Sequence, residues 1–130
     1  MAELNHILCV DDEPDVLFLE RRTLEKIGKF KVTAVSGGLA ALQAIEEVMP
    51  DLILLDVMMP EIDGPATLDM IRENPKYDDI PVIFMTARVR VNEIEEYINM
   101  GASGVIPKPF DPMKLPTEIK TIWDRSHVVC

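Results

Sequence analysis

Cysteine is scarce in this chain: two residues in 130, Cys9 inside an apolar run and Cys130 at the end. Two such positions make neither a disulfide framework nor a metal knuckle. Cys9 therefore reads as core packing, and Cys130 as a tail thiol open to intermolecular disulfides in air. Positive charge is also short, with thirteen Lys and Arg against twenty-three Asp and Glu for a net charge of −10. That balance argues against nonspecific attraction to a phosphate backbone, so nucleic acid is not expected as a direct partner. No apolar run approaches a membrane span, and the first residues, Met1-Ala2-Glu3-Leu4-Asn5-His6, lack a basic segment followed by an apolar one. The expectation is a cytoplasmic protein without membrane contact. His6 and His127 have no ligand-spaced companions, and neither is given a role.

What is present is enough for one core. A chain of 130 residues, 48% hydrophobic, has the size of a single domain and buries about two-thirds of the surface its unfolded form exposes. Apolar runs of four to six residues alternate with stretches of helical period, the pattern of a parallel sheet with covering helices. Strands are expected over 5–10, 30–35, 51–55, 82–85 and 104–106. The run Leu52-Ile53-Leu54-Leu55 shows no alternation and reads as a central strand, whereas Lys31 and Thr33 alternate with Val32 and Ala34 as on an edge. Helices are expected over 14–27 with the stripe Leu17, Leu24 and Ile27, closed by Gly28, and over 38–48 on Leu39, Ala41, Leu42 and Ile45. Others should cover 65–73, stopped by Asn74-Pro75, and 91–100, capped by a left-handed Gly101. A last helix should begin near Pro116, with the tail after Trp123 frayed.

Five polar residues stand at or just past the ends of four of these apolar runs. Ile7-Leu8-Cys9-Val10 leads into Asp11 and Asp12, Leu52-Ile53-Leu54-Leu55 into Asp56, Val82-Ile83-Phe84-Met85 into Thr86, and Val105-Ile106 into Pro107-Lys108. Parallel strands would bring all five to one edge, where open α/β sheets bind ligands. Each has an ordinary use: Asp11, Asp12 and Glu13 before Pro14 as a helix N-cap cluster, Asp56 and Thr86 as turn or cap residues, Lys108 as a solvated surface lysine. Their coincidence at separate strand ends is less easily ordinary. Three carboxylates, a hydroxyl and an ammonium together describe a site for a divalent cation and a phosphoryl group.

The motifs Val10-Asp11-Asp12-Glu13, Leu54-Leu55-Asp56-Val57-Met58-Met59-Pro60 with Asp63-Gly64, Phe84-Met85-Thr86-Ala87, and Gly101-Ala102 followed by Lys108-Pro109-Phe110 resemble the receiver domain of two-component response regulators. The resemblance covers almost the whole chain, in order and at family spacing. It implies a flavodoxin-like, doubly wound five-stranded parallel sheet of order 2-1-3-4-5 with five helices. It makes Asp56 the phosphoacceptor and places Mg²⁺, with Mn²⁺ as an alternative, on Asp12, Asp56 and the Met58 carbonyl, with Asp11 acting through a water. Thr86, Ala87 and Lys108 would hold the phosphoryl group, and the bond before Pro109 would be cis. Met58 and Arg88 fall at positions that tune access of hydrolytic water in the family.

The resemblance also implies a signalling switch rather than an enzyme, with self-catalysed phosphotransfer and dephosphorylation only. Its donor would be a histidine kinase or histidine phosphotransfer protein. A downstream effector would bind the fourth helix, fifth strand and fifth helix, and the protein would be a monomer or a phosphorylation-linked dimer. About twenty residues follow Phe110, so residues 1–130 are read as one receiver domain without an output domain. Val105 stands where many members carry a Tyr or Phe, which excludes an aromatic gate there and points to a smaller change carried by the loop and the fourth helix, with Glu93, Glu95 and Glu96 solvated. A haloacid dehalogenase phosphatase would want an acid at Met58, and a flavin or dinucleotide carrier a glycine-rich turn in place of Asp11-Asp12-Glu13-Pro14. A receiver-like module that is never phosphorylated would usually lack the acceptor, an acid or the lysine, and all are present.

Overall fold

A computed structural model describes residues 3–127, and the expectation for Cys130 lies outside them. The elements alternate: β1 (His6–Val10), α1 (Pro14–Lys26), β2 (Lys31–Val35), α2 (Gly38–Val48), β3 (Leu52–Asp56), α3 (Gly64–Arg72), β4 (Val82–Thr86), α4 (Val91–Asn99), β5 (Gly104–Pro107) and α5 (Leu115–Ser126). A single 3-10 turn, Pro75–Tyr77, was not foreseen. The strands form one parallel sheet of order β2-β1-β3-β4-β5. Every residue of β3 and β4 is buried, as their unbroken apolar runs require, and β2 is an edge strand with only Val32 fully buried.

Period-two alternation divides the core in two. Ile7, Cys9, Leu52, Leu54, Ile83, Met85 and Ile106 face α1 and α5, where Leu24, Leu115, Ile119, Ile122 and Trp123 meet them. Leu8, Val10, Ile53, Leu55, Val82 and Phe84 face α2, α3 and α4 through Ala41, Ala44, Ile45, Leu68, Ile71 and Tyr97. The chain winds outward from β1 to β2, then returns to lay β3 on the other flank of β1. That reversal between β1 and β3 opens the crevice in which such sheets place ligands.

Several boundaries and contacts differ from the sequence reading for identifiable reasons. Ile27 is 46% exposed and Leu39 is 56% exposed, so neither belongs to its helix's buried stripe. At the end of α1 the chain folds back, Phe30 N–H donating to the Leu24 carbonyl at 3.0 Å, and the Phe30 ring packs against the core in place of Ile27. The buried face of α2 is Gly38, Ala41, Ala44 and Ile45, and Leu39 lies one residue, about 100° of helical rotation, off it. Gly28 is not the left-handed residue after α1, since Lys29 holds that conformation at φ 62°. Gly101, at φ 113°, does.

Residues 124–127 are not frayed, and the rest of that expected tail lies outside the described residues. α5 runs to Ser126, whose hydroxyl donates to the Ile122 carbonyl at 3.0 Å, and the His127 ring stacks 3.8 Å from Trp123. Pro116 sits in the first turn of α5, where its missing N–H leaves no intrahelical bond unmade. His6 shares a hydrogen bond of 2.7 Å with the Thr33 hydroxyl, tying β1 to β2 at the end of the sheet away from the acids.

Met49 closes α2 in the left-handed conformation, φ 45° and ψ 68°, which a side chain bearing a Cβ enters at a cost. It is 44% exposed and surrenders little packing if removed. Replacing Met49 with Gly is expected to raise stability by about 1 kcal/mol. Urea unfolding should show a higher midpoint with an unchanged slope.

Candidate functional site

The strand ends position the site by parity. Asp11 continues the side of β1 that carries Ile7 and Cys9, and Asp56, the last residue of β3, continues that of Leu52 and Leu54. Lys108 likewise follows Ile106, so these three side chains extend one face of the sheet past its apolar body. Thr86, the last residue of β4, has the parity of Val82 and Phe84 and rises from the opposite face. Asp56 and Thr86 lie inside the ladder, paired with Met85 and Pro107. Sheet hydrogen bonding therefore fixes their backbones one residue further than the sequence suggested.

The loop after β3 backs the site closely. Gly64 N–H donates to the Val57 carbonyl at 2.8 Å, and a Cβ on Gly64 would stand 2.6 Å from the Asp56 carbonyl oxygen. Only glycine allows that approach. Asp63 caps α3, its carboxylate accepting from Ala66 N–H at 2.9 Å, so the Asp63-Gly64 pair starts the helix and seats it against the strand end.

Lys108 joins the acids. Its Nζ donates to Asp11 Oδ2 at 2.9 Å and Asp56 Oδ1 at 3.2 Å, and it lies 3.6 Å from Glu13 Oε1. The second Asp11 oxygen accepts from Glu13 N–H at 3.0 Å. Asp11 is fully buried and Asp56 nearly so. Burial pushes the Asp56 carboxyl up to about 6, the charge of Asp11 adds to this, and Lys108 opposes it. Burial alone would lower the Lys108 ammonium, but its bonds and charge pairing with Asp11 and Asp56 outweigh that and raise it.

Helix capping does not account for the acids. The N-cap residue of α1, Glu13, makes no side-chain cap bond, and Asp12 has no hydrogen bond or ion pair among the described residues. One oxygen from each of Asp11, Asp12, Glu13 and Asp56 lies within 4.8 Å of the others. The Met58 carbonyl accepts no hydrogen bond among the described residues. Thr86 does make the turn contact its type suggested, Oγ1 accepting from Arg88 N–H at 3.0 Å, while its own hydroxyl hydrogen remains available. Ala87 N–H is not engaged among the described residues, and the Lys108–Pro109 peptide is cis. A cleft of about 590 Å³ opens over Asp56, Thr86, Ala87 and Lys108, walled by Val16 and Leu19 of α1, Met58, and Pro109 and Phe110.

Residues 7–120 match the family described as the response regulator receiver domain. This chain belongs to that family. The response regulator Rre1 of Synechocystis sp. is 34% identical over 127 residues, which cover 98% of this chain and 55% of that protein. A putative response regulator of Chloroflexus aurantiacus superposes with a TM-score of 0.84 at 29% identity, over 95% of this chain and 100% of that one. The chemotaxis response regulator CheY4 of Vibrio cholerae gives 0.85 at 26%, over 92% and 99%. The chain spans about half the length of the curated relatives it matches first. The fold is the flavodoxin-like arrangement of those neighbours, and as a receiver domain the chain is a signalling module of two-component systems. No helix among the described residues is long and apolar enough to cross a membrane.

Two acids near the receiver site went unrecognised in the sequence. Glu13 stands in the sequence reading as part of a cap cluster and of the family motif, with no role in the site, yet its carboxylate joins the cluster beside Lys108. Glu20 lies in the sheet-facing stripe of α1, 1% exposed, and its Oε1 is the one buried side-chain polar atom without a partner among the described residues. The signal was its phase, three residues after Leu17 and four before Leu24. Burial, then the charges of Asp11 and Asp56, push its carboxyl up to about 8, with Lys108 opposing.

The folded chain thus keeps a proton on Glu20 that the unfolded chain loses near its ordinary value of 4.5. Glu20 costs little below that pH, and stability falls as pH rises towards about 8. Glu20→Gln is expected to stabilise the protein by on the order of 2 kcal/mol at pH 8, and far less at pH 5. Urea midpoints of both proteins across that range test it.

Proposed function

We propose that this receiver domain accepts a phosphoryl group on Asp56 from a phosphohistidine of a histidine kinase or histidine phosphotransfer protein, in the cytoplasm. The observation that carries the reading is the buried Asp56 carboxylate, joined at 3.2 Å to Lys108 and sharing that lysine with Asp11 at the floor of an open cleft. An Asp56 oxygen attacks phosphorus, forming the acyl phosphate O–P bond. The N–P bond breaks and its electron pair returns to the leaving imidazole. Lys108 then pairs with a phosphoryl oxygen, and the Thr86 hydroxyl and Ala87 N–H donate to others. The Thr86 hydroxyl hydrogen and the Ala87 N–H are both free for that use.

The donors fit a small hard dication: carboxylate oxygens within 4.8 Å of one another, an uncommitted Met58 carbonyl, and no imidazole or thiolate in the cluster. Asp12, Asp56 and Met58 would hold Mg²⁺ or Mn²⁺, with Asp11 acting through a water. When bound, the ion neutralises the acids and phosphoryl oxygens, whose repulsion otherwise opposes attack. The apolar walls of the cleft, Val16, Leu19 and Phe110, suit a partner that presents its histidine from an apolar surface.

Output follows from Thr86. Drawing its hydroxyl towards the phosphoryl group would shift the loop that ends at α4 and alter the α4, β5 and α5 surface offered to an effector. Val105 is partly buried and supplies no gate, but an aromatic pair lies alongside: the Tyr97 ring of α4 meets Phe84 of β4 edge-on, 5.3 Å between centroids and 77° between planes. Glu93 is half-buried and accepts from Arg90 N–H at 3.3 Å, capping α4, whereas Glu95 and Glu96 are solvated. The expectation of a solvated Glu93 is corrected by that cap.

Intact mass after incubation with Mg²⁺ and a small acyl phosphate tests the acceptor. The wild type should gain one phosphoryl mass and Asp56→Ala none, while equal behaviour of the two proteins would overturn the assignment. For the output, amide spectra with a phosphoryl mimic should show shifts across Val91–Asn99 and Gly104–Pro107. Unmoved signals there would exclude α4 as the route.

A further inference from the structure

Glu20 is not used by the reaction above, and its placement has no packing rationale that Leu would not serve better. It is buried on the face of α1 that packs over the sheet side carrying Cys9 and Asp11, with Oε1 unpartnered among the described residues, and the charges of Asp11, Lys108 and Asp56 act on it while its own acts on the Cys9 thiol. No cation answers it: Lys108 is committed to Asp11, Asp56 and Glu13, and Arg21 of the same helix pairs with Glu25 on the exposed side. No ionisable group of β2 or α5, the elements packed beside α1, is among those acting on it. Such a buried, unpartnered acid calls for a compensating charge that is not always present.

We propose that Glu20 is a buried outer carboxylate that strengthens divalent-cation binding by the acids at the strand ends without touching the ion, and that the cation's arrival drives a proton off it. The inference rests on the cation site proposed above. Burial first, and then the charges of Asp11 and Asp56 against the opposing Lys108, hold Glu20 neutral. A dication reverses the sign of the local field, so the ionised form becomes favourable and attracts the ion in turn. By linkage, the proton lost and the affinity gained are one coupling free energy. Glu20 is therefore a positioning charge whose effect depends on pH. Asp11, Asp12 and Asp56 make the direct and water-mediated contacts.

The test is calorimetric titration of the full chain with MgCl2 at pH 6.8 and 8.5, and at pH 7.5 in two buffers of different ionisation enthalpy. In the wild type, affinity should rise about fivefold between the two pH values, which is what a one-unit fall in the Glu20 pKa from about 8 gives over that interval. The buffer dependence should reveal net proton release. Glu20→Gln and Glu20→Leu should each bind Mg²⁺ with less than about a twofold rise and release almost no proton. A merely structural Glu20 would change stability in these variants and leave the pH profile of binding alone. Equal profiles in wild type and variants, or no proton release by the wild type, would overturn the role of Glu20 while leaving the cation site standing. Absence of Mg²⁺ binding at every pH would overturn both.

Discussion

The bond from Lys108 to two buried carboxylates is the contact on which the rest of the site depends. Asp11 and Asp56 stand at the ends of adjacent strands whose other residues, His6 apart, are apolar and enclosed, so each carboxylate enters a region poor in water. Two such charges side by side would repel one another and favour protonation. The ammonium between them, at 2.9 and 3.2 Å, lowers that penalty without removing it. An ion pair of this kind adds little net stability. What it supplies is a poised arrangement: one cation shared among several acids, so that an incoming charge of either sign changes every partnership at once.

That poise is built from backbone, not from side-chain packing alone. Asp56 and Thr86 are held in the ladder, Lys108 N–H donates to the Thr86 carbonyl at 3.0 Å, and Val57 N–H donates to the Met85 carbonyl at 3.1 Å. Neighbouring strand ends are thereby tied across the rim. Gly64 presses the start of α3 against the Asp56 carbonyl, so the acceptor cannot recede into the loop behind it. The freedom that remains lies in the Lys108 side chain, the Thr86 hydroxyl and the loop to α4. These are the groups that the proposed chemistry would rearrange.

Much of this was legible because β3 and β4, and β1 beyond His6, are buried on both faces. Continuous apolar runs ending in single polar residues gave strand identity, order along the chain and the gathering of Asp11, Asp12, Asp56, Thr86 and Lys108, since a parallel sheet sends every strand's end to the same edge. Phase was less legible. Leu39 and Ile27 looked like stripe residues because they are large, yet α2 packs through Gly38 and small alanines, and Phe30 returns to cover the end of α1. The same preference for size hid Glu20, whose helical position lies in the core stripe but whose charge suggested the surface. The 3-10 turn after Asn74-Pro75 is tied down by Arg72, whose guanidinium donates to the Tyr77 and Ile80 carbonyls at 2.6 and 2.8 Å, a side-chain satisfaction of backbone groups that no hydrophobic period announces.

Val105 makes the route from site to surface a matter of what replaces an aromatic at β5. Phe84 is paired in register with Val105, and the same Phe84 carries Tyr97 of α4 on its edge. Two residues beyond Phe84 on the same side of β4 stands Thr86, so the threonine and the aromatic contact share one strand end and one face. An aromatic pair of this geometry is worth about 0.5–1.5 kcal/mol beyond its burial. That is comparable to the energies by which a modification shifts a two-state equilibrium. On the proposed reading, displacement of Thr86 would strain the Phe84–Tyr97 contact and Arg88 N–H at once, and both lead to α4. A small side chain at 105 then acts as clearance for that movement rather than as a missing part.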